Sequence, residues 1–250
     1  MPILPCLISL LIVHLHGCGP AWEQRISYAP PDILSIVPSF PALPAKTPEP
    51  KESQHQSDQW IPLPEWLGGT WQARYQTLLS GRNHRTQVDL IKEPVTIAVN
   101  RISTRGLQRD SSGQIWQYTG APFIRTIELS DYIERQTLYD IVLLSTSPNL
   151  VKTRSLAIVT RNDKNSNKTL DIFVEITTTT YQAIRDGLIQ VTYAVEAYDL
   201  NDRPRSTYKS TCTETRIMPY QTIDKDERGN LQELFIEFQK HNGLIPPSPF

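Results

Sequence analysis

The segment that ends the threonine-rich part of the chain carries a thiol, a carboxylate and a guanidinium at every second position. Cys212, Glu214 and Arg216 alternate with threonines in the run 210–216. Because alternate side chains of a β-strand point to the same face, we expect all three on one side of a strand. Glu214 and Arg216 could form a buried pair that orients a ligand carboxylate, or a purely structural pair. Cys212 could be a reactive thiol, a point of ligand attachment, or a small buried apolar residue.

The rest of the sequence lacks the usual constellations of catalytic residues. Catalysis by a serine or cysteine nucleophile usually needs a histidine beside it. His84 is the only histidine in the β-rich part, and it lies in the run 80–85, which is typical of a basic hairpin loop. No glycine-rich phosphate loop and no His/Cys cluster with metal spacing occurs. We therefore predict a protein that is not an enzyme, with no cofactor and no bound metal.

Composition argues against several other classes of protein. The chain has 250 residues and a net charge of −1, and its basic residues do not cluster. Nucleic-acid binding depends largely on neutralising phosphates with Lys and Arg, so we expect no nucleic-acid partner. Only three cysteines occur, two of them in the first 18 residues, which argues against a disulfide framework.

Residues 1–17 have the length and apolar character of a signal peptide. The run Leu15-His16-Gly17-Cys18 resembles the lipobox of bacterial lipoproteins. The resemblance implies cleavage before Cys18 and diacylation of its thiol, which would anchor the protein stably in membrane lipid. We therefore expect an exported protein on the periplasmic, lumenal or extracellular side of a membrane. A plain secretory signal or a buried segment of the domain is the alternative.

Residues 18–64 are predicted to form a proline-rich, disordered tether. They contain half of the 20 prolines of the chain. Proline removes a backbone donor and fixes φ, so this stretch should form neither a helix nor a central strand. A stalk that holds the domain off a membrane and a passive linker both fit the pattern.

Residues 65–220 are predicted to form an antiparallel β-domain of about ten strands. The clearest strand is 169–183, in which apolar residues recur with a period of two. Asp186-Gly187 predicts a tight hairpin into 188–198, which a turn connects to 206–217. The other predicted strands are 70–79, 86–90, 95–102, 115–118, 124–129, 138–145 and 154–160. This count indicates a mainly β fold, either a barrel or a sandwich.

Residues 221–250 are predicted to contain a C-terminal amphipathic helix and a tail. Asn230 and Glu233 form a plausible capping box at the start of the helix. An apolar stripe with helical spacing follows, at Leu231, Leu234, Phe235 and Phe238. We expect this helix to pack on the outside of the β-domain or across one of its mouths.

The start of the β-domain, Gly69-Thr70-Trp71, resembles the Gly-x-Trp motif of lipocalin-like (calycin) barrels. The resemblance implies an antiparallel barrel in which Trp71 plugs one end and packs against Arg216 of the last strand through a cation–π contact. With Trp71 pointing inward, period-two alternation also places Tyr75 on the inner face. More loosely, the run 210–216 is similar to the last strand of the lipocalin-like phycobilin lyases.

These patterns lead to three functional hypotheses. The first is an exported, lipid-anchored, non-enzymatic protein whose barrel binds a small apolar or amphipathic ligand. The second is a protein-interaction or assembly factor on a membrane surface, with a filled core. The third is a bilin-chromophore lyase-like protein. The residues predicted to form the ligand site are Trp71, Tyr75, Tyr193, Cys212, Glu214 and Arg216.

Overall fold

A computed structural model of the chain describes residues 60–120, 123–128, 131–226 and 228–244. The predicted signal peptide, Cys18 and the tether as far as residue 59 lie outside these residues. The predicted β-domain and the C-terminal helix lie almost entirely within them.

Antiparallel strands make up most of the described chain, and seven of them are at least eleven residues long. In chain order the strands are β1 (Trp60–Leu63), β2 (Gly69–Asn83), β3 (Val88–Ile91), β4 (Val95–Arg105), β5 (Gln108–Arg109), β6 (Ile115–Tyr118), β7 (Phe123–Glu128), β8 (Tyr132–Ser147), β9 (Leu150–Asp163), β10 (Thr169–Arg185), β11 (Leu188–Tyr198), β12 (Pro204–Met218), β13 (Lys225–Asp226) and β14 (Gly229–Asn230). A 3₁₀ turn spans Glu65–Leu67, and one helix, α1, spans Leu231–His241. The predicted mainly β, antiparallel fold with a C-terminal helix is confirmed.

The main sheet has the strand order β3-β2-β12-β11-β10-β9-β8-β7, and β4 also pairs with β2. β3 and β4 share one edge of β2, because β12 occupies the other edge. All ten strands predicted from the sequence are present, and the meander of β10, β11 and β12 turns at Asp186-Gly187 as predicted, with Gly187 at a φ of 68°. Several strands are longer than predicted, because buried charged residues such as Glu134 and Arg161 belong to them.

The main sheet curls around a cavity. Arg101 of β4 and Arg125 of β7 come from opposite ends of the strand order, yet both line this cavity. The small sheet β1-β6-β5 contributes Ile61, Leu63 and Gln117 to the same wall. Among the described strands, β4 and β7 are not joined by ladder hydrogen bonds. Closure of the barrel by hydrogen bonds between these strands therefore stays a prediction.

The first strand of the small sheet lies inside the segment that was predicted to be the tether. Trp60–Leu63 forms the edge strand β1, pairs with β6 and has Trp60 and Leu63 buried. The prediction that the tether reaches residue 64 is therefore wrong for its last residues. Pro62 is compatible with this strand because an edge strand has one side free of ladder hydrogen bonds.

Helix α1 begins as predicted, with Asn230 as its N-cap. The Asn230 side chain accepts a hydrogen bond of 3.3 Å from the backbone N–H of Glu233. The predicted apolar stripe buries Leu231 and Phe235 against Trp60 and Tyr118 of the small sheet. The helix thus packs on the outer side of the small sheet. Across the described residues, no helix is both long and apolar enough to cross a membrane.

The inner face of β10 is more polar than its outer face. Leu170 is 55% exposed, whereas Phe173 and Glu175 on the alternate face are buried. The predicted alternation with a period of two is correct. Of the two rows of side chains on β10, the more apolar one, which begins at Leu170, points outward. The protein therefore places carboxylates and guanidinium groups inside the curled sheet, where they need partners.

Candidate functional site

Trp71 and Arg216 lie directly opposite each other on β2 and β12. The guanidinium carbon of Arg216 lies 5.0 Å from the ring centre of Trp71, within the range of a cation–π contact. Arg216 Nη2 also donates a hydrogen bond of 2.7 Å to the carbonyl of Trp66, and Trp71 Nε1 donates one of 2.9 Å to that of Leu67. The predicted contact is confirmed, and it fastens the 3₁₀ turn to the sheet.

Tyr75 does not belong to the site. It was predicted to share the inner face with Trp71, but its side chain is 64% exposed and Gln76 is buried in its place. The register of β2 shifts between Ala73 and Tyr75 in the ladder with β4, and again opposite Cys212 in the ladder with β12. A bulge in β2 inserts one extra residue, so the side chains that directly follow it, from Tyr75 to Leu78, have changed face. The prediction for Tyr75 is therefore wrong.

Arg101 of β4 is the centre of the cluster that the structure forms instead. Its Nη2 donates a hydrogen bond of 2.9 Å to Glu214 Oε1 and one of 2.8 Å to Cys212 Sγ. Its guanidinium carbon lies 4.8 Å from the ring centre of Tyr193. Arg101, which was not predicted, thus contacts three residues that were predicted for the ligand site: Tyr193, Cys212 and Glu214.

Arg105, two positions beyond Ser103 on the inner face of β4, completes this cluster. Its Nη1 lies 2.7 Å from Glu214 Oε2, and its guanidinium carbon lies 4.7 Å from the ring centre of Tyr181. Glu214, which is only 1% exposed, therefore carries one guanidinium on each carboxylate oxygen. We call Arg101, Arg105 and Glu214 the arginine cluster.

The arginine cluster holds an excess of positive charge. Burial by itself would raise the pKa of Glu214, but the neighbouring Arg105 and Arg101 outweigh it and lower the pKa. Burial likewise opposes the charge of Arg101, yet its surroundings hold its pKa above the usual value. Two cations thus face one anion. Among the described residues, neither Arg101 Nε nor Ser103 Oγ has a hydrogen-bond partner, although both atoms are buried.

The Cys212 thiol is poorly suited to nucleophilic chemistry. Burial raises its pKa to about 11, and Arg101 only partly offsets this effect. Because the thiolate is the nucleophilic form, almost none would be present near neutral pH. The structure therefore favours the interpretation of Cys212 as a small buried residue that fills space beside Arg101.

The arginine cluster borders a cavity of about 390 Å³. Six residues were predicted for the ligand site. Among the described residues that line the cavity, Tyr193 is the only one of these six. Cys212 and Glu214 contact Arg101, and Trp71 belongs to the apolar core packed around Leu67. The apolar part of the cavity wall consists of Ile61, Leu63, Leu67, Leu138, Ile141 and Ala157.

A second charged group, Glu175 of β10, lines the cavity away from the arginine cluster. Burial raises the pKa of Glu175 to about 7, and the nearby carboxylate of Glu134 adds to this effect. Thr177 Oγ1 donates a hydrogen bond of 3.4 Å to Glu175 Oε1. Glu134 itself is paired with Arg161 at 2.9 Å. Glu175 therefore changes its charge near neutral pH, whereas its neighbour Glu134 forms a buried ion pair.

Sequence reasoning missed Arg101, Arg105 and Glu175. One usable signal was present, since Arg101, Ser103 and Arg105 alternate in the run 95–105 as Cys212, Glu214 and Arg216 do in 210–216. Alternation places such residues on one face of a strand. Glu175 offered no comparable signal, because it alternates with apolar residues and so resembles a solvent-facing position.

Comparison of the chain with protein families, curated proteins and solved structures gives no match. The resemblance to lipocalin-like barrels thus rests on Gly69, Trp71 and Arg216 alone and stays a prediction. In the described part of the chain, no group of three or more His, Cys, Asp or Glu residues could hold a metal ion.

Proposed function

We propose that this domain binds a small amphipathic anion in the cavity, with the anionic head group against the arginine cluster. The supporting observation is the unbalanced charge of two guanidinium groups that share the single carboxylate of Glu214. A buried net charge is unfavourable unless a partner neutralises it. A carboxylate in the cavity, beside Arg101 and Arg105, would supply the missing charge.

The remainder of the cavity suits the apolar body of such a ligand. Its volume of about 390 Å³ falls within the range of about 300–1,000 Å³ that is typical of small-ligand sites. Ile61, Leu138 and Ile141 offer apolar surface, and the ring of Tyr193, which contacts the Arg101 guanidinium, also lines the cavity. A ligand with one anionic end and one apolar end matches this arrangement.

The two alternative functions have less support. A protein-interaction factor with a filled core would not need a cavity that contains buried arginines. A bilin lyase-like protein that attached its pigment to Cys212 would need a reactive thiol there, whereas burial raises the pKa of Cys212 to about 11. We therefore retain the binding protein as the proposed function, without an enzymatic step.

We also propose that the protein is exported and anchored to a membrane through a diacylated Cys18. This proposal rests on the lipobox-like run Leu15–Cys18. The mass of the mature N-terminus tests it. We expect a chain that begins at Cys18 and carries lipid. An intact Met1 or an unmodified Cys18 would contradict the proposal.

Three probes with the same apolar body test the proposed ligand class. Decanoate, decanol and decylamine differ in the charge of the head group, and their binding can be compared by calorimetry below the concentrations at which they form micelles. Hydrogen bonds to charged groups contribute about 1.5–3 kcal/mol, so we expect decanoate to bind at least about tenfold more tightly than the other two. Equal binding of all three probes, or preference for decylamine, would contradict the proposal.

A further inference from the structure

The inner face of the sheet is ordered in rows that the strand register defines. Thr179 of β10 lies opposite Tyr193 of β11, the ring on which Arg101 stacks. Glu175 lies four residues earlier on β10, opposite Ala157 of β9. Four residues of a strand cover about 13 Å. The cavity therefore has a cationic end and a carboxylic end, separated along the strand by about this distance.

The row between these two ends is less polar than either. It contains Ser155, Thr177 and Val195 in register, and Ile141 lies opposite Ser155 on β8. Ser155, Thr177 and Ile141 line the cavity. The hydrocarbon chain of a ligand whose head group lies at the arginine cluster would therefore pass methyl groups and hydroxyls and end beside the Glu175 carboxyl.

The charged groups around Glu175 are already close to balanced. Glu134 pairs with Arg161 at 2.9 Å and accepts a hydrogen bond of 2.9 Å from Gln136 Nε2. The other titratable groups near Glu175 are Arg125, which also lines the cavity, and the buried Tyr208. A second ionic group of the ligand would disturb this balance. A neutral hydroxyl would not, and it can donate to an ionised carboxyl or accept from a protonated one.

We propose that the ligand has a second polar group, a neutral hydroxyl at the far end of its apolar chain, which Glu175 receives by hydrogen bonding. This inference rests on the ligand-binding function proposed above and names the class of ligand more closely. The preferred ligand is a medium-chain carboxylate with a terminal hydroxyl. The arginine cluster holds the carboxylate, and the row of Ser155 and Thr177 accommodates the chain.

Calorimetric titration of the full chain with decanoate and with its ω-hydroxy derivative, together with shorter and longer homologues of both, tests the inference. We expect the best ω-hydroxy acid to bind at least about tenfold more tightly than the plain acid of equal length, which corresponds to about 1.4 kcal/mol. Glu175→Leu should abolish this preference without weakening the plain acid. Glu175→Gln, which retains an oxygen acceptor and an N–H donor, should keep most of the preference.

Two matched controls accompany these variants. Glu237→Gln removes an exposed carboxylate of α1 that does not line the cavity, so the preference for the ω-hydroxy acid should be unchanged. Melting curves establish that each variant is folded. The comparison of the two acids in the unmodified protein needs no variant. It therefore still tests the inference if Glu175→Leu does not fold.

The possible outcomes separate this inference from the proposed function. If decanoate binds but its ω-hydroxy derivative gains nothing at any chain length, the inference is wrong and the binding function stands. The same holds if the preference persists in Glu175→Leu. If no acid of either series binds, both proposals are wrong.

Discussion

Arg101 Nη2 lies 2.9 Å from Glu214 Oε1, although 113 residues of chain separate the two. They meet because β4 and β12 flank β2 on opposite sides and the sheet curls inward. Glu214 also pairs with Arg105, so one carboxylate holds two guanidinium groups inside the protein. Without the Glu214 carboxylate, both buried guanidinium groups would lose their anionic partner.

Glu214→Gln should destabilise the domain and make its stability depend on anions. The substitution keeps the size of the side chain but leaves two buried cations without a carboxylate. Breaking a buried ion pair in this way costs about 3–5 kcal/mol. Urea unfolding should show a loss of this order, part of which is recovered when decanoate is added. A change below about 0.5 kcal/mol would show that the arginine cluster is not a tightly coupled set of charges.

Glu175 should make the domain less stable as pH rises through the slightly acidic range. Its pKa is raised from 4.5 to about 7 by burial, so between these values the folded chain binds a proton that the unfolded chain has lost. Stability from this source is complete below the unfolded pKa and disappears above about pH 7, with a total of up to about 3 kcal/mol. Glu214, whose pKa is lowered, acts in the opposite direction at more acidic pH.

Unfolding free energies measured across this pH range check the prediction. Glu175→Gln should remove the decline in stability, whereas the control Glu237→Gln on the exposed side of α1 should keep it. If the two variants show the same pH profile, Glu175 is not the group responsible.

Tyr75 should be replaceable without effect. Its side chain is 64% exposed after the bulge of β2, whereas Gln76 is buried and donates a hydrogen bond of 2.8 Å to Ser210 Oγ. Tyr75→Ser should therefore change the free energy of unfolding by less than about 0.5 kcal/mol and leave probe binding unaltered. Gln76→Leu, which leaves Ser210 without its partner, should cost about 1–3 kcal/mol. A larger loss of stability for Tyr75→Ser than for Gln76→Leu would contradict the position of the bulge in β2.

The thiol of Cys212 should react slowly in the folded protein. Because burial raises its pKa to about 11, a chain with Cys6 and Cys18 replaced by serine should be alkylated by iodoacetamide far more slowly when folded than when unfolded in urea. Mass spectrometry over time measures both rates. Equal rates would reopen the possibility that this thiol attaches a ligand.

The sequence predicted the strands better than it predicted which of their faces points inward. The runs that became β10, β11 and β12 were found because they alternate with a period of two and turn at Asp186-Gly187. The contact of Trp71 with Arg216 was expected from the resemblance to lipocalin-like barrels and not from local spacing.

The errors arose where spacing alone is insufficient. Tyr75 was assigned to the wrong face because a bulge leaves no mark in a pattern of alternation. The β1 strand was assigned to the tether because a proline such as Pro62 is compatible both with a linker and with an edge strand. Arg101 and Glu175 were missed because polar residues in a strand ordinarily face water, whereas here the curled sheet encloses them.

Binding of decanoate to the variant Arg101→Gln tests the central claim most directly. With Arg101 removed, Arg105 and Glu214 are balanced and the site has no excess positive charge for an anion. We predict that calorimetry shows at least about a tenfold loss of affinity for decanoate, no comparable loss for decanol, and unchanged binding of both in the control Arg74→Gln, whose side chain is exposed on β2. A folded Arg101→Gln protein that binds decanoate as tightly as the unmodified protein would contradict the account.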